Sequence, residues 1–255
     1  MSGKGEALDN LIEIQNRLLA PGGCPWDREQ THQSLVRYLI EETYEVIEAI
    51  NEGDSRKLCE ELGDLLLQVV FHAALAERQG QFDFADLTRT VSQKMIDRHP
   101  HVFGSLPLHT SEDVLNNWED FKRQEGKQYL LQGIPPGLPA LLRAEKIQEK
   151  ISRVGFDWPS IQGAREKLRE ELTELEEAQT QAAITDEMGD VLFALVNLAR
   201  FKQVGAEQAL QQANDKVTRR FNYIEQQVKE SGRSFADLSL EEMDAIWDEA
   251  KRHGL

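Results

Sequence analysis

Two stretches of this 255-residue chain carry carboxylates in the same order and at nearly the same spacing. The first is Glu41-Glu42-Thr43-Tyr44-Glu45, followed by Glu61-Leu62-Gly63-Asp64. The second is Glu170-Glu171-Leu172-Thr173-Glu174, followed by Glu187-Met188-Gly189-Asp190. Each reads EExxE and then ExxD, with fifteen residues between the parts in the first copy and twelve in the second. Residues three or four apart share a helix face, so Glu41, Glu42 and Glu45 project together. Around the wheel they lie opposite a stripe of Ile40, Tyr44, Ile47 and Ile50. Alone, that is the pattern of any solvated helix face.

The ExxD segment narrows the chemistry. Leu62, Leu65, Leu66, Leu67, Val69, Val70 and Phe71 put apolar side chains nearly all round one helix, which predicts a buried element. Glu61 and Asp64 interrupt it in a narrow strip with Gln68 and His72, as Glu187 and Asp190 interrupt the equivalent run from Met188 to Val196. Burying an uncompensated carboxylate costs several kcal/mol, and two close together also repel. A hard divalent cation removes that cost, and oxygen-only ligands select Mg²⁺ or Mn²⁺ over zinc. Glu42 and Glu45 from one helix with Glu61 and Asp64 from its antiparallel neighbour would form a four-carboxylate cage open to a phosphate ligand. Gly63 and Gly189, between the paired acids, suggest close helix approach.

The elements that must hold these residues read as helices throughout, because Leu, Glu, Ala, Gln and Arg abound and no convincing alternating strand occurs. The first half predicts helices over 8–19, 34–52, 55–79, 84–98 and 111–124; the second over 140–152, 161–181, 183–202, 206–230 and 240–253. Between the halves, Gln132-Gly133-Ile134-Pro135-Pro136-Gly137-Leu138-Pro139 cannot continue a helix. The halves match beyond the acids. Lys94 and Arg98 correspond to Lys216 and Arg220, and Trp118 and Lys122 to Trp247 and Lys251, each pair four residues apart. A duplication of this period implies two domains rather than a solenoid. The expected fold is all-α, with two tandem helical bundles over 1–133 and 140–255 joined by a Pro/Gly linker at 134–139.

The net charge of −16 argues against nucleic-acid backbones and anionic lipid as partners. Cys24 and Cys59 fall in no CxxC or Cys/His cluster, so no disulfide framework is expected. No run reaches roughly 18 uncharged apolar residues, and no apolar h-region follows Met1. The expectation is a cytoplasmic protein away from membranes.

Taken together, these residues resemble the MazG family of nucleoside triphosphate pyrophosphohydrolases, of the all-α NTP pyrophosphatase superfamily, in its tandem-domain form. The resemblance also covers Gly23-Cys24-Pro25-Trp26-Asp27, Arg98-His99-Pro100-His101-Val102-Phe103, Val154-Gly155-Phe156-Asp157-Trp158 and Arg219-Arg220-Phe221. It implies hydrolysis of NTPs and dNTPs to monophosphate and pyrophosphate with Mg²⁺. It also implies that Glu171, Glu174, Glu187 and Asp190 hold metal in the second domain, as Glu42, Glu45, Glu61 and Asp64 do in the first. Glu170 and Glu41 would lie beside the metal. Lys216 and Arg220 resemble a phosphate-binding pair, Trp247 and Lys251 nucleotide contacts, with Lys94, Arg98, Trp118 and Lys122 as first-domain equivalents.

Plainer readings stand beside these. Basic pairs four apart are usually solvated, Trp118 and Trp247 could be core anchors, and Trp26 and Trp158 read as structural. Two rival classes fit part of the pattern. A di-iron bundle expects paired Glu-x-x-His motifs, of which Glu29-Gln30-Thr31-His32 is one match, absent from the second half. A non-catalytic helical binding module could carry acidic faces, but would not need carboxylates inside an apolar helix. The narrow apolar stripes of two-helix halves, with the resemblance, point to a homodimer.

Overall fold

A computed structural model describes residues 3–107, 110, 113 and 129–255. Among them the chain forms eleven α-helices and one 3-10 turn, with no strand. It divides into two compact units, Met1–Thr110 and Ser111–Leu255. The Pro/Gly stretch falls within the second unit, where the Lys150 ammonium donates to the carbonyls of Leu130 at 2.9 Å and Gln132 at 3.3 Å. The predicted helix over 111–124, with Trp118 and Lys122, lies outside the described residues.

The first unit contains α1 (Gly3–Leu19), α2 (Pro25–Glu29), α3 (Val36–Glu52), α4 (Ser55–Arg78), α5 (Phe84–Arg98) and α6 (Pro100–Phe103). The sequence reading missed α2 and α6, each a short helix opened by a proline at its first turn. Between α3 and α4 the chain reverses in two residues. Gly53 takes φ +70° to end α3, and the Asp54 carboxylate accepts from the amides of Arg56 and Lys57 to start α4. So short a connection forces the two acid-bearing helices side by side. Leu19, Leu35, Phe71, Ala74 and Leu75 form a buried cluster, with Tyr38 packed on it.

The second unit contains α7 (Ala140–Ser152), α8 (Ile161–Glu177), α9 (Gln181–Phe201), α10 (Ala206–Glu230), the 3-10 turn Phe235–Asp237 and α11 (Leu240–Arg252). Helix α9 packs on α8 and α7, and α10 on α7 and α11. Helix α8 stops at Glu177, short of the expected 181, because Thr180 caps α9 by accepting from the Ala183 amide.

Three expectations about packing are corrected. The stripe of Ile40, Tyr44, Ile47 and Ile50 on α3 faces outward, Ile50 being 57% exposed, while Val46 and Ala49 are buried. The ExxD helices are also not buried all round, since Leu62, Leu66, Met188 and Leu192 are exposed. Nor do Gly63 and Gly189 permit a close approach, because a Cβ at either would meet nothing within 4 Å. Each unit is thin enough that a helix packs on one flank and keeps an apolar flank outside.

Candidate active site

In each unit the EExxE helix lies against the ExxD helix, α3 on α4 and α8 on α9. Carboxylate oxygens of Glu42, Glu45 and Glu61 come within 4.8 Å of one another in the first unit, and those of Glu171, Glu187 and Asp190 in the second. Asp64 is near enough to Glu42 and Glu61 to act on both, and Glu174 hydrogen-bonds Glu171. The eight carboxylates singled out as ligands therefore gather in two clusters. Glu41 and Glu170 are exposed at their edges.

The clusters are electrostatically costly as they stand. Burial pushes the Glu42 carboxyl above its ordinary range, and the charges of Asp64 and Glu45 add to it. Glu61 is raised by burial and then by Glu45, Glu60 and Asp64, with Lys57 opposing. Glu174 is raised first by its hydrogen bond to Glu171, then by burial and the neighbouring charges. Like charges that crowd while offering only oxygen donors suit a hard divalent cation.

The two clusters differ in what surrounds them. In the second, the Lys167 ammonium lies 2.7 Å from Glu170 and 2.7 Å from Glu171, and both bonds hold its pKa above the ordinary lysine value. The sequence reading missed Lys167; its signal was the spacing of four residues before Glu171, one helical turn. At the matching place the first unit has Tyr38, with the Arg37 guanidinium 4.4 Å over its ring and bonded to its hydroxyl.

Beside Glu171 and Asp190 a cavity of about 390 Å³ opens in the second unit, reaching Gln148, Trp158, Asn197 and Arg200. Counting from the aligned motifs, Ala164, Lys167, Asn197 and Arg200 correspond to Leu35, Tyr38, Phe71 and Ala74. Those four first-unit residues make up most of its core cluster. The duplication thus holds a filled core in one copy and a hollow in the other.

The basic and aromatic residues named from sequence are distributed as follows. The Arg220 guanidinium stands 5.3 Å over the Trp247 ring, and its Nε donates to the Leu255 carbonyl at 2.7 Å. Lys251 pairs with Asp248 at 2.8 Å, and Lys216 is exposed. Lys94 is exposed on α5 and Arg98 partly buried at its end. Among the described residues no hydrogen bond or ion pair joins Lys216, Arg220, Trp247 or Lys251 to the carboxylate cluster. The structure unites Arg220 with Trp247 and leaves this group apart from the acids.

Residues 30–103 and 160–224 match the MazG nucleotide pyrophosphohydrolase domain. The chain is 45% identical to the nucleoside triphosphate pyrophosphohydrolase/pyrophosphatase MazG of Thermotoga maritima, over 98% of both chains. It is 44% identical to the nucleoside triphosphate pyrophosphohydrolase of Escherichia coli K12, over 96% of this chain and 97% of that one. It is also 49% identical to YabN of Bacillus subtilis, covering 93% of this chain and 50% of YabN. Two copies of the motif, each folded into its own carboxylate cluster, and similarity along nearly the whole length agree: this chain is an enzyme of the MazG nucleotide pyrophosphohydrolase family, with the domain present twice.

Proposed function

We propose that the second unit hydrolyses NTPs and dNTPs to nucleoside monophosphate and pyrophosphate by direct attack of water, with Mg²⁺, or Mn²⁺ in its place, held by Glu171, Glu174, Glu187 and Asp190. The observation that carries this reading is the cluster of Glu171, Glu187 and Asp190 at the mouth of a cavity of about 390 Å³. When bound, the cation would neutralise phosphate charge and lower the pKa of a water.

The chain's own residues supply the remainder. Glu171 is only 5% exposed and is held by the Lys167 ammonium at 2.7 Å, so its orientation is fixed before ligand arrives. Glu170, exposed beside it, is the carboxylate that would orient the attacking water and take its proton. Lys167, and Lys216 with Arg220 as the resemblance implies, would neutralise the phosphates as the anhydride bond between the α- and β-phosphates breaks and the electron pair leaves with one of them. No covalent enzyme intermediate is needed. The filled hollow of the first unit favours the second as the working site, and the first cluster, Glu42, Glu45, Glu61 and Asp64, would bind metal without turning over nucleotide.

The exposed apolar flanks of α3 and α9 favour a homodimer. Free Cys24 and Cys59 suit a cytoplasmic enzyme that controls the nucleotide pool; no helix among the described residues is long and apolar enough to cross a membrane. The test is pyrophosphate release from the eight common NTPs and dNTPs by nanomolar enzyme. Release with Mg²⁺ and its loss with EDTA are expected. Silence toward all eight would favour a non-catalytic nucleotide- or metal-binding module.

A further inference from the structure

We propose that the cavity behind the second carboxylate cluster receives the nucleobase, and that Gln148 reads its hydrogen-bonding edge; this rests on the nucleotide reading given above. Gln148 lies on α7 and is 2% exposed. Its amide nitrogen donates to the Phe193 carbonyl at 2.8 Å. A backbone carbonyl only accepts, so the amide cannot be flipped, and Oε1 is the atom left over. That oxygen is buried and has no partner. A buried acceptor without a donor is destabilising, and here it borders a cavity large enough to bring one in.

The cavity is graded in charge. At one end stand Lys167, Glu171 and Asp190. At the other, the only charged pair is closed on itself: Arg200 bonds Asp157 at 2.5 Å and the Asn197 side-chain oxygen at 2.8 Å. The Asn197 amide, Trp158 and Phe156 are uncharged, as is Gln148, which meets α9 at Phe193 between Asp190 and Asn197. A second phosphate would find no free cation at this end, whereas a flat, neutral ring with N–H donors finds aromatic surface and an acceptor.

Length agrees. Asp190, Phe193, Ala194 and Asn197 line the cavity along one face of α9. Seven residues at 1.5 Å rise separate the acidic end from Asn197 by about 10 Å, the order of a nucleoside's reach from its phosphate. Trp158 is also held in place. A Cβ at Gly163 would meet its ring at 2.7 Å, so the glycine admits the indole against the start of α8.

Every common base carries an N–H donor on its Watson–Crick edge, so one acceptor admits them all and rejects an analogue that lacks the donor. The experiment uses the full-length enzyme with Mg²⁺, ATP, and purine riboside triphosphate, which is ATP without the 6-amino group. Wild type is expected to favour ATP about tenfold in kcat/KM, and Gln148→Met to bring the ratio near one. Trp158→Ala should raise KM for both. Calorimetry with AMP and purine riboside monophosphate should show the same discrimination in Kd, independent of turnover. If wild type hydrolyses both triphosphates equally and Gln148→Met leaves the ratio unchanged, the base lies elsewhere and only this assignment falls. If wild type hydrolyses neither and binds neither monophosphate, the nucleotide reading falls with it.

Discussion

Glu171 shows most clearly what the sequence could and could not say about single residues. Its place in EExxE marked it as a candidate ligand, and the structure gives it Glu187 and Asp190 as neighbours. The Lys167 ammonium that makes its burial tolerable stands one turn before it on the same helix, whereas the burial itself depends on how two helices pack and was not legible from spacing. Gln148 and Trp158 were passed over for the same reason: their meaning comes from a cavity assembled by residues up to about fifty positions away. His72 is the reverse case, a residue that sequence places on the acidic strip but that is matched by Leu198 in the second copy. Its ring Nδ1 lies 2.8 Å from that of His32, a contact that needs one nitrogen to accept. Burial first, and then His32, lower its pKa in the fold. The folded chain therefore binds fewer protons than the unfolded one below the ordinary histidine value of about 6.5. The stability it contributes is complete above that value and is lost as the pH falls through its folded pKa. Wild type should lose thermal stability on acidification in that interval, and His72→Leu should flatten the loss. Identical pH profiles for the two proteins would contradict this.

At the scale of elements, the break expected between 52 and 55 is made by a left-handed Gly53 and the capping carboxylate of Asp54, and helix identity was plain from composition. Orientation was not. The helical wheel of α3 taken alone puts its isoleucine stripe inward and its acids outward; the cage expected with the ExxD helix turns Glu42 and Glu45 to α4 instead, where they meet Glu61 while Ile40, Ile47 and Ile50 are exposed. Periodicity finds an apolar stripe but does not say whether the chain's own core covers it. The exposed apolar flanks of α3 and α4 in the first unit, and of α9 in the second, carry the proposal that a second copy covers them. Light scattering at micromolar protein should give twice 29.1 kDa. Ile47→Glu and Leu192→Glu should each shift the species towards 29.1 kDa. A wild type already at the smaller mass would refute the dimer.

Over the whole molecule, the duplication was visible in the motifs, and similarity to MazG enzymes runs through both halves. What motifs do not show is that the copies have diverged around the carboxylates. Leu35, Tyr38 and Phe71 fill in the first unit what Ala164, Lys167 and Asn197 leave open in the second. Equal motif sets therefore need not mean equal sites. The central claim, that one cluster with its hollow does the chemistry, is tested by pyrophosphate release from a nucleotide panel with two double variants. The account predicts that Glu174→Gln with Glu187→Gln lowers kcat/KM by about a hundredfold or more, while Glu45→Gln with Glu61→Gln stays within a few-fold of wild type. Loss confined to the first-unit variant, or equal partial loss in both, would contradict it.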